Sequence, residues 1–381
     1  VVFCLLCNFW KHTSFQWFVL AVQMTIQVLL ANNFDGYTVI KDSQEYALSF
    51  GGELTDETLQ QIVSDYQQME ADGMEKELEK TDWQIVNSWL GTLYPELRDT
   101  NNYKTMISYV DPDKLTGFYE RRRQVLDEFL EVSGQVGAEK EYLHQIERKV
   151  EKPFHYEWVE GWSTLLGSMV ADLGVVMALF LGIVLSSLFA GEWHDNTSTL
   201  VLTTRNGWGK IALAKILTGL AFTVELFALL AVSNVISQLF FMGTAGWDMP
   251  IQNIKLIAVA PMNMLQAEIY EYAFVLLGAI GFAGIVMFIS AAVKNNVLTL
   301  LLSLAVVYGP MMIAEYLPYE MQKALDLIPL VGSSTDIFRT NTFRIFGKLI
   351  WSPYLLITIP VLIGILCMPF AIKSWSRRMK A

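Results

Sequence analysis

Long apolar runs, interrupted by one extended charged stretch, organise this chain. A bilayer core of about 30 Å takes roughly 20 apolar residues as a helix. Six segments reach or approach that length: 14–31, 163–190, 211–242, 271–293, 297–316 and 353–372. A spanning segment must satisfy its own backbone hydrogen bonds, so each is expected to be helical. Gln16, Gln23 and Gln27 dilute the first run, and the turn at Lys294, Asn295 and Asn296 separates the fourth from the fifth. Residues 1–10 are too short to span; with Lys11 and His12 behind them they suit an elbow lying at the interface.

Between the first two runs, residues 32–160 carry a different pattern. Leu59, Ile62, Val63, Tyr66 and Met69 recur at a spacing of three to four, which marks one buried helical face. Thr55 followed by Asp56 and Glu57 supplies its N-terminal signal. Leu115, Phe118, Tyr119, Leu126 and Phe129 predict a second helix, and Tyr142, Leu143, Ile146 and Val150 a third. Pro95, the Asp111-Pro112-Asp113 turn and the Gly134/Gly137 pair punctuate them. The reading is an all-α polytopic membrane protein with about six transmembrane helices and a mainly helical extracellular domain. Residues 1–31 form the elbow and first span, 32–160 the domain, and 161–381 the remaining spans.

Charge sharpens this division. Of 38 acidic residues, 27 fall in 32–160, against 13 of the 27 basic ones, so the net charge of −11 belongs to the domain. No concentrated basic face exists to hold nucleic acid. The basic tail of Lys373, Arg377, Arg378 and Lys380 predicts a cytoplasmic C-terminus. Counting back through six spans puts the N-terminus inside as well, in the plasma membrane, with 191–210 facing in. The 32–160 domain and the loops 243–270 and 317–350 then face out. Lys323, Arg339, Arg344 and Lys348 make the last loop a poor fit to the rule. Cys4, Cys7 and Cys367 all lie outside the domain, which therefore has no disulfide framework.

Candidate chemistry is sparse. His12, His144, His155 and His194 are scattered without ligand spacing, so no metal site is expected. No G-x-S-x-G elbow occurs, and Gly209-Lys210 lacks the rest of a phosphate loop, because Thr204 and Ile211 stand at its other key positions. The chain is read as no enzyme, with no cofactor of its own. Charge inside a span is costly and therefore a functional candidate. Glu225 in the third run, Asp172 in the second and Asn234 near the end of the third are the candidates for a substrate pathway; the alternative is that they fix helix packing. Gly278, Gly281 and Gly284 recur every three residues and predict a close helix contact.

The stretch 189–215 carries the most specific signal. Glu192 closes one apolar run, Asn196-Thr197 and Leu200–Leu202 follow, then Thr204-Arg205, and Lys215 opens the next run. In this order the chain resembles the permease subunits of ABC-2 type (type V) exporters, although that family often has glycine where Asn196 stands. The large domain after the first span is similar to a bacterial branch of the family. The resemblance implies a permease that exports a peptide, antimicrobial or lipid-like substrate. It implies a second permease protomer, identical or homologous, and two copies of a cytoplasmic ABC ATPase that bind ATP and magnesium. It also implies a coupling loop at 191–210 in which Glu192, Asp195, Asn196, Thr197, Arg205 and Lys210 meet the ATPase. A different reading of the same chain is an immunity or sensing protein whose extracellular domain binds an antimicrobial peptide.

Overall fold

A computed structural model describes residues 51–74, 83–99, 104–157, 159–194, 209–332, 338 and 340–377. The expected elbow and first span, and Asp195, Asn196, Thr197 and Arg205 of the expected coupling loop, lie outside the described residues.

The charged block folds into a small helical domain closed by its own ends. Strand β1 (Gly52–Leu54) pairs antiparallel with β2 (Phe154–Tyr156), so the chain enters and leaves side by side. Helix α1 (Asp56–Ala71) starts as its sequence predicts, with Thr55 Oγ1 accepting from Thr58 N. Asp56, the next residue, caps a different helix. Its carboxylate accepts from the backbone N–H groups of Gly117 and Phe118 at 2.7 and 2.9 Å, at the start of α3 (Phe118–Val132). Between them lies α2 (Gln84–Leu93), and α4 (Ala138–Glu147) follows. Leu59, Ile62, Val63, Leu115, Phe118, Leu126, Leu143 and Val150 are buried as the spacing predicts. Phe129 is the exception. It is 40% exposed, because the core face of α3 passes through Leu126 and Leu130 instead.

A short helix, α5 (Glu160–Thr164), and a wide turn over Leu165–Met169 lead into α6 (Val170–His194). Then come α7 (Gly209–Met242), α8 (Met264–Ala292), α9 (Asn296–Ile313), the short α10 (Tyr319–Leu325), the hairpin of β3 (Thr342–Ile345) and β4 (Lys348–Trp351), and α11 (Ser352–Arg377). Five of these, α6, α7, α8, α9 and α11, are long and apolar enough to cross a membrane. The chain is an all-α polytopic membrane protein.

Helix α8 is the hub of the bundle and packs on all four other spans. Its glycines explain the position. A Cβ on Gly281 would lie 2.3 Å from the Pro360 carbonyl oxygen, and one on Gly284 would lie 2.4 Å from the Gly364 carbonyl oxygen. Only glycine lets the α8 and α11 backbones touch in this way. Helix α9 sits at the edge, with Val297, Leu298, Leu301 and Leu302 exposed.

Helix α8 starts at Met264, earlier than its apolar run suggests. Asn263 Oδ1 accepts from Gln266 N at 2.8 Å while Gln266 Oε1 accepts from Asn263 N at 3.2 Å. This reciprocal cap extends the helix through residues 264–270, which the hydropathy pattern assigns to a loop.

The stretches between spans on the domain side form the seat of the domain. Trp89 Nε1 donates to Asn253 O at 2.8 Å, and Asn253 Nδ2 donates to His155 O at 2.9 Å. The buried Arg122 donates from Nε to Leu256 O at 2.7 Å and from Nη2 to Ala258 O at 3.1 Å. A second attachment joins the β3–β4 hairpin, where Thr342 Oγ1 donates to Gln135 Oε1 at 2.7 Å and Arg344 pairs with Glu139.

Candidate functional site

At the helix ends away from the domain, four spans converge on one buried cation. Lys215 lies in the second turn of α7 and its side chain is 4% exposed. Its ammonium stands 2.6 Å from Glu192 Oε1, near the end of α6, and donates to Leu188 O at 2.5 Å. The rings of Phe189 and Trp375 cover it, with centroids 5.0 and 5.2 Å away. A buried ammonium needs such partners, because desolvation otherwise drives it out of the fold.

The rest of the cluster ties the remaining helices to this pair. Ser290 of α8 accepts from Phe189 N and Ala190 N at 3.0 and 3.1 Å and donates to Ser186 O at 2.7 Å. Trp375 of α11 packs edge-on against Trp193, and the Lys294 ammonium lies 4.4 Å from the centre of the Trp193 ring. Ser374 Oγ donates to Ala291 O at 3.2 Å. The two helix ends that flank residues 195–208 are thus locked to each other and to the bundle.

The family pattern assigns Glu192 to a partner surface; its described ion pair is internal, with Lys215. Lys210, in the first turn of α7, is exposed. The other expected coupling residues lie outside the described residues.

The three candidate pathway residues do not share a surface. Glu225 is half-buried in the middle of α7, beside a row of exposed apolar side chains formed by Leu213, Leu217, Val224, Val232 and Ile236. Asn234 is buried and lies nine positions further on, which at 100° per residue places it on the opposite side of the helix. Asp172 is exposed at the domain-side end of α6.

Facing Asn234 is a polar group that hydropathy alone does not reveal. Glu268 and Glu271 of α8 are 4% and 6% exposed, and Tyr272 lies beside Glu268 and Asn234. The Phe227 and Tyr272 rings, 6.1 Å apart, bring the two helices together here. The signal in the sequence is the i, i+3 carboxylate pair ahead of an apolar run. The run itself begins at residue 271, which leaves Glu268 on the loop side of any boundary drawn from hydropathy.

The domain has its own buried ion pair. Arg122 Nη1 donates to Glu147 Oε1 at 2.5 Å, and Lys152 Nζ lies 2.7 Å from the same oxygen. Burial pulls the Arg122 guanidinium down from its usual range, while Glu147 pulls it back up. Burial pushes the Glu147 carboxyl up, but Lys152 and Arg122 together hold it below its ordinary value. A cavity of about 480 Å³ opens elsewhere on the domain, lined by Asn87, Arg98, Asp99, Lys104 and Tyr109 among others.

No protein-family model, curated protein or solved structure matches the chain.

Proposed function

We propose that this chain is the transmembrane permease subunit of an ATP-driven exporter of the ABC-2 class. One observation carries the reading. The ends of α6 and α7 that flank residues 195–208 are joined by the buried Glu192–Lys215 pair and braced by Trp375, Trp193 and Ser290. A passive anchor has no need of such bracing. A segment pushed by a soluble motor does, because force applied to a slack loop is lost before it reaches the spans. The Glu192, Thr204-Arg205 and Lys215 pattern that resembles the ABC-2 permeases occupies or borders this segment.

In this scheme two cytoplasmic ATPases grip residues 191–210 of two permease protomers. ATP and magnesium bind the ATPases, and closure tilts α6 and α7. In this scheme Glu225, beside apolar side chains of α7 that are exposed among the described residues, turns toward the other protomer and the substrate pathway. Placing a carboxylate beside exposed apolar residues in mid-span is costly unless that face is covered. Both termini lie in the cytoplasm, the acidic domain lies outside the plasma membrane, and the cargo is a peptide, antimicrobial or lipid-like molecule.

The test is co-purification of the chain with the ABC ATPases of the cell that makes it. The double variant Arg205→Ala, Lys210→Ala leaves the Glu192–Lys215 pair intact and removes two expected contacts. Retention of the ATPase by the parent chain and its loss from the variant supports the permease reading. Failure of the parent chain to retain any ATPase rejects it.

A further inference from the structure

A carboxyl group enclosed between two spans needs a proton, a cation or a hydrogen-bond donor. Glu268 is the fifth residue of α8 and is 4% exposed, and both of its carboxyl oxygens are shut off from solvent without a hydrogen-bond partner. Gln238 Nε2, on the α7 face that carries Asn234, is likewise enclosed and unbonded, and so is the Tyr272 hydroxyl. Tyr272 lies beside Glu268 and Asn234, near enough to act on both, but its hydroxyl does not reach good hydrogen-bond geometry with the Glu268 carboxyl. Enclosed polar groups without a well-formed hydrogen bond thus lie on both helices of this contact. Buried polar groups in folded proteins are rarely left this way.

We propose that Glu268 is a proton-binding site: it carries a proton between α7 and α8, and release of that proton loosens the contact of the two helices next to the domain. The charges around it favour a proton over other occupants. On its own helix the neighbours are Glu271, a second acid, and Tyr272. Helix α7 offers Asn234 and Gln238 and holds no charged residue between Glu225 and its domain-side end. Helix α9 has no charged residue, and the charges of α11, Lys373 and Arg377, lie at its far end. Asp172 of α6 and Asp248 of the loop between α7 and α8 are exposed. Among the described residues no cationic side chain acts on the Glu268 carboxyl. A hard metal cation asks for about six oxygens or more, and no three acidic, histidine or cysteine side chains among the described residues gather to begin such a shell.

The position makes the site responsive to the medium. Helix α8 runs for 29 residues, longer than the roughly 20 that span the hydrocarbon, and Glu268 sits in its second turn. Exchange with the aqueous phase on the domain side therefore needs only a local opening. The loop that seats the domain, through Asn253, Leu256 and Ala258, runs directly into this end of α8. A change in the α7–α8 contact is passed to that seat. The inference holds whether or not the chain works with an ATPase.

Infrared difference spectra of the purified full-length protein test it, because a protonated carboxyl has a C=O stretching band above those of the amides that its ionised form lacks. The pH is stepped from about 5 to about 9, the range documented for buried carboxyls. The parent protein is expected to show the band and to lose amplitude as pH rises. Glu268→Gln is expected to lack that component throughout, while Glu225→Gln keeps it. If Glu268→Gln does not fold, Glu268→Asp retains the carboxyl and is expected to move the band. The melting temperature of the parent is expected to fall relative to Glu268→Gln as pH rises. Identical bands in parent and Glu268→Gln overturn the proposal. So does removal of the band by sodium at fixed pH, which would make the site one for a metal cation.

Discussion

Replacing Gly281 with alanine is predicted to open the bundle at its tightest point. The new Cβ would stand 2.3 Å from the Pro360 carbonyl oxygen and 3.1 Å from Pro329 Cγ. Ordinary contact begins near 3.4 Å, so α8 and α11 must part by about 1.1 Å. The obstructing atom is backbone, so no side chain can swing aside. A gap of 0.5–1 Å forfeits about a quarter to a half of each dispersion contact along the seam, and overpacking of this kind costs about 1–3 kcal/mol. The upper end, about 3 kcal/mol, is expected, because the seam between α8 and α11 is the most extensive helix contact among the described residues. Gly309 is the internal control. It is helical, and an added methyl there would meet nothing within 4 Å. Alanine at that position should be neutral or stabilise by up to about 1 kcal/mol through helix propensity. Thermal melting of the full-length protein in detergent, followed by tryptophan fluorescence, reads both. Equal effects at Gly281 and Gly309, or no loss at Gly281, would refute the reasoning.

Other perturbations separate the remaining contacts. Lys215→Met leaves Glu192 without its cation and should cost about 3 kcal/mol, while the double variant Lys215→Met, Glu192→Gln should recover most of that; a double-mutant cycle on melting measures the coupling. Arg122→Met removes the donor to Leu256 O and Ala258 O and strands Glu147 against Lys152 alone, a loss of about 3 kcal/mol with faster amide exchange across 251–260. The Glu147 carboxyl is held below its usual value in the fold, so its contribution is complete above the unfolded value of 4.5 and fades as pH falls through the lower folded one. The full-length protein should therefore lose domain stability on acidification below about pH 4.5, and Glu147→Gln should flatten that slope in melts taken across the acid range.

Much of the fold is legible in the sequence because its cause is local. Five of the six expected spans are present as helices, since an apolar run of that length has few other ways to satisfy its backbone in lipid. The Thr55 cap and the α1 face through Leu59, Ile62 and Val63 are equally local. The Gly281 and Gly284 contact can be expected from spacing alone, although its partners, Pro360 and Gly364, cannot. What the sequence conceals is tertiary. Glu192 and Lys215 each stand out, but their pairing depends on how α6 and α7 cross. The burial of Glu268 depends on a helix that begins before its apolar run does, set by the Asn263–Gln266 cap. Arg122 stands in a run of three arginines, Arg121 to Arg123, and only the fold sets it apart, turned inward to 1% exposure.

The two attachments of the domain also limit how it can travel. A body held at a single point can swivel in any direction; one held at two points keeps only rotation about the line between them. Here one point is the loop feeding α8, through Trp89 and Arg122, and the other is the hairpin feeding α11, through Gln135 and Glu139. Those two helices are also the pair whose backbones touch at Gly281, Gly284 and Gly364. These contacts couple the domain to α8 and α11, in addition to the chain that joins it to α6 through α5. Any motion of α6 and α7 against this body must then pivot about their ends locked at Lys215 and Ser290.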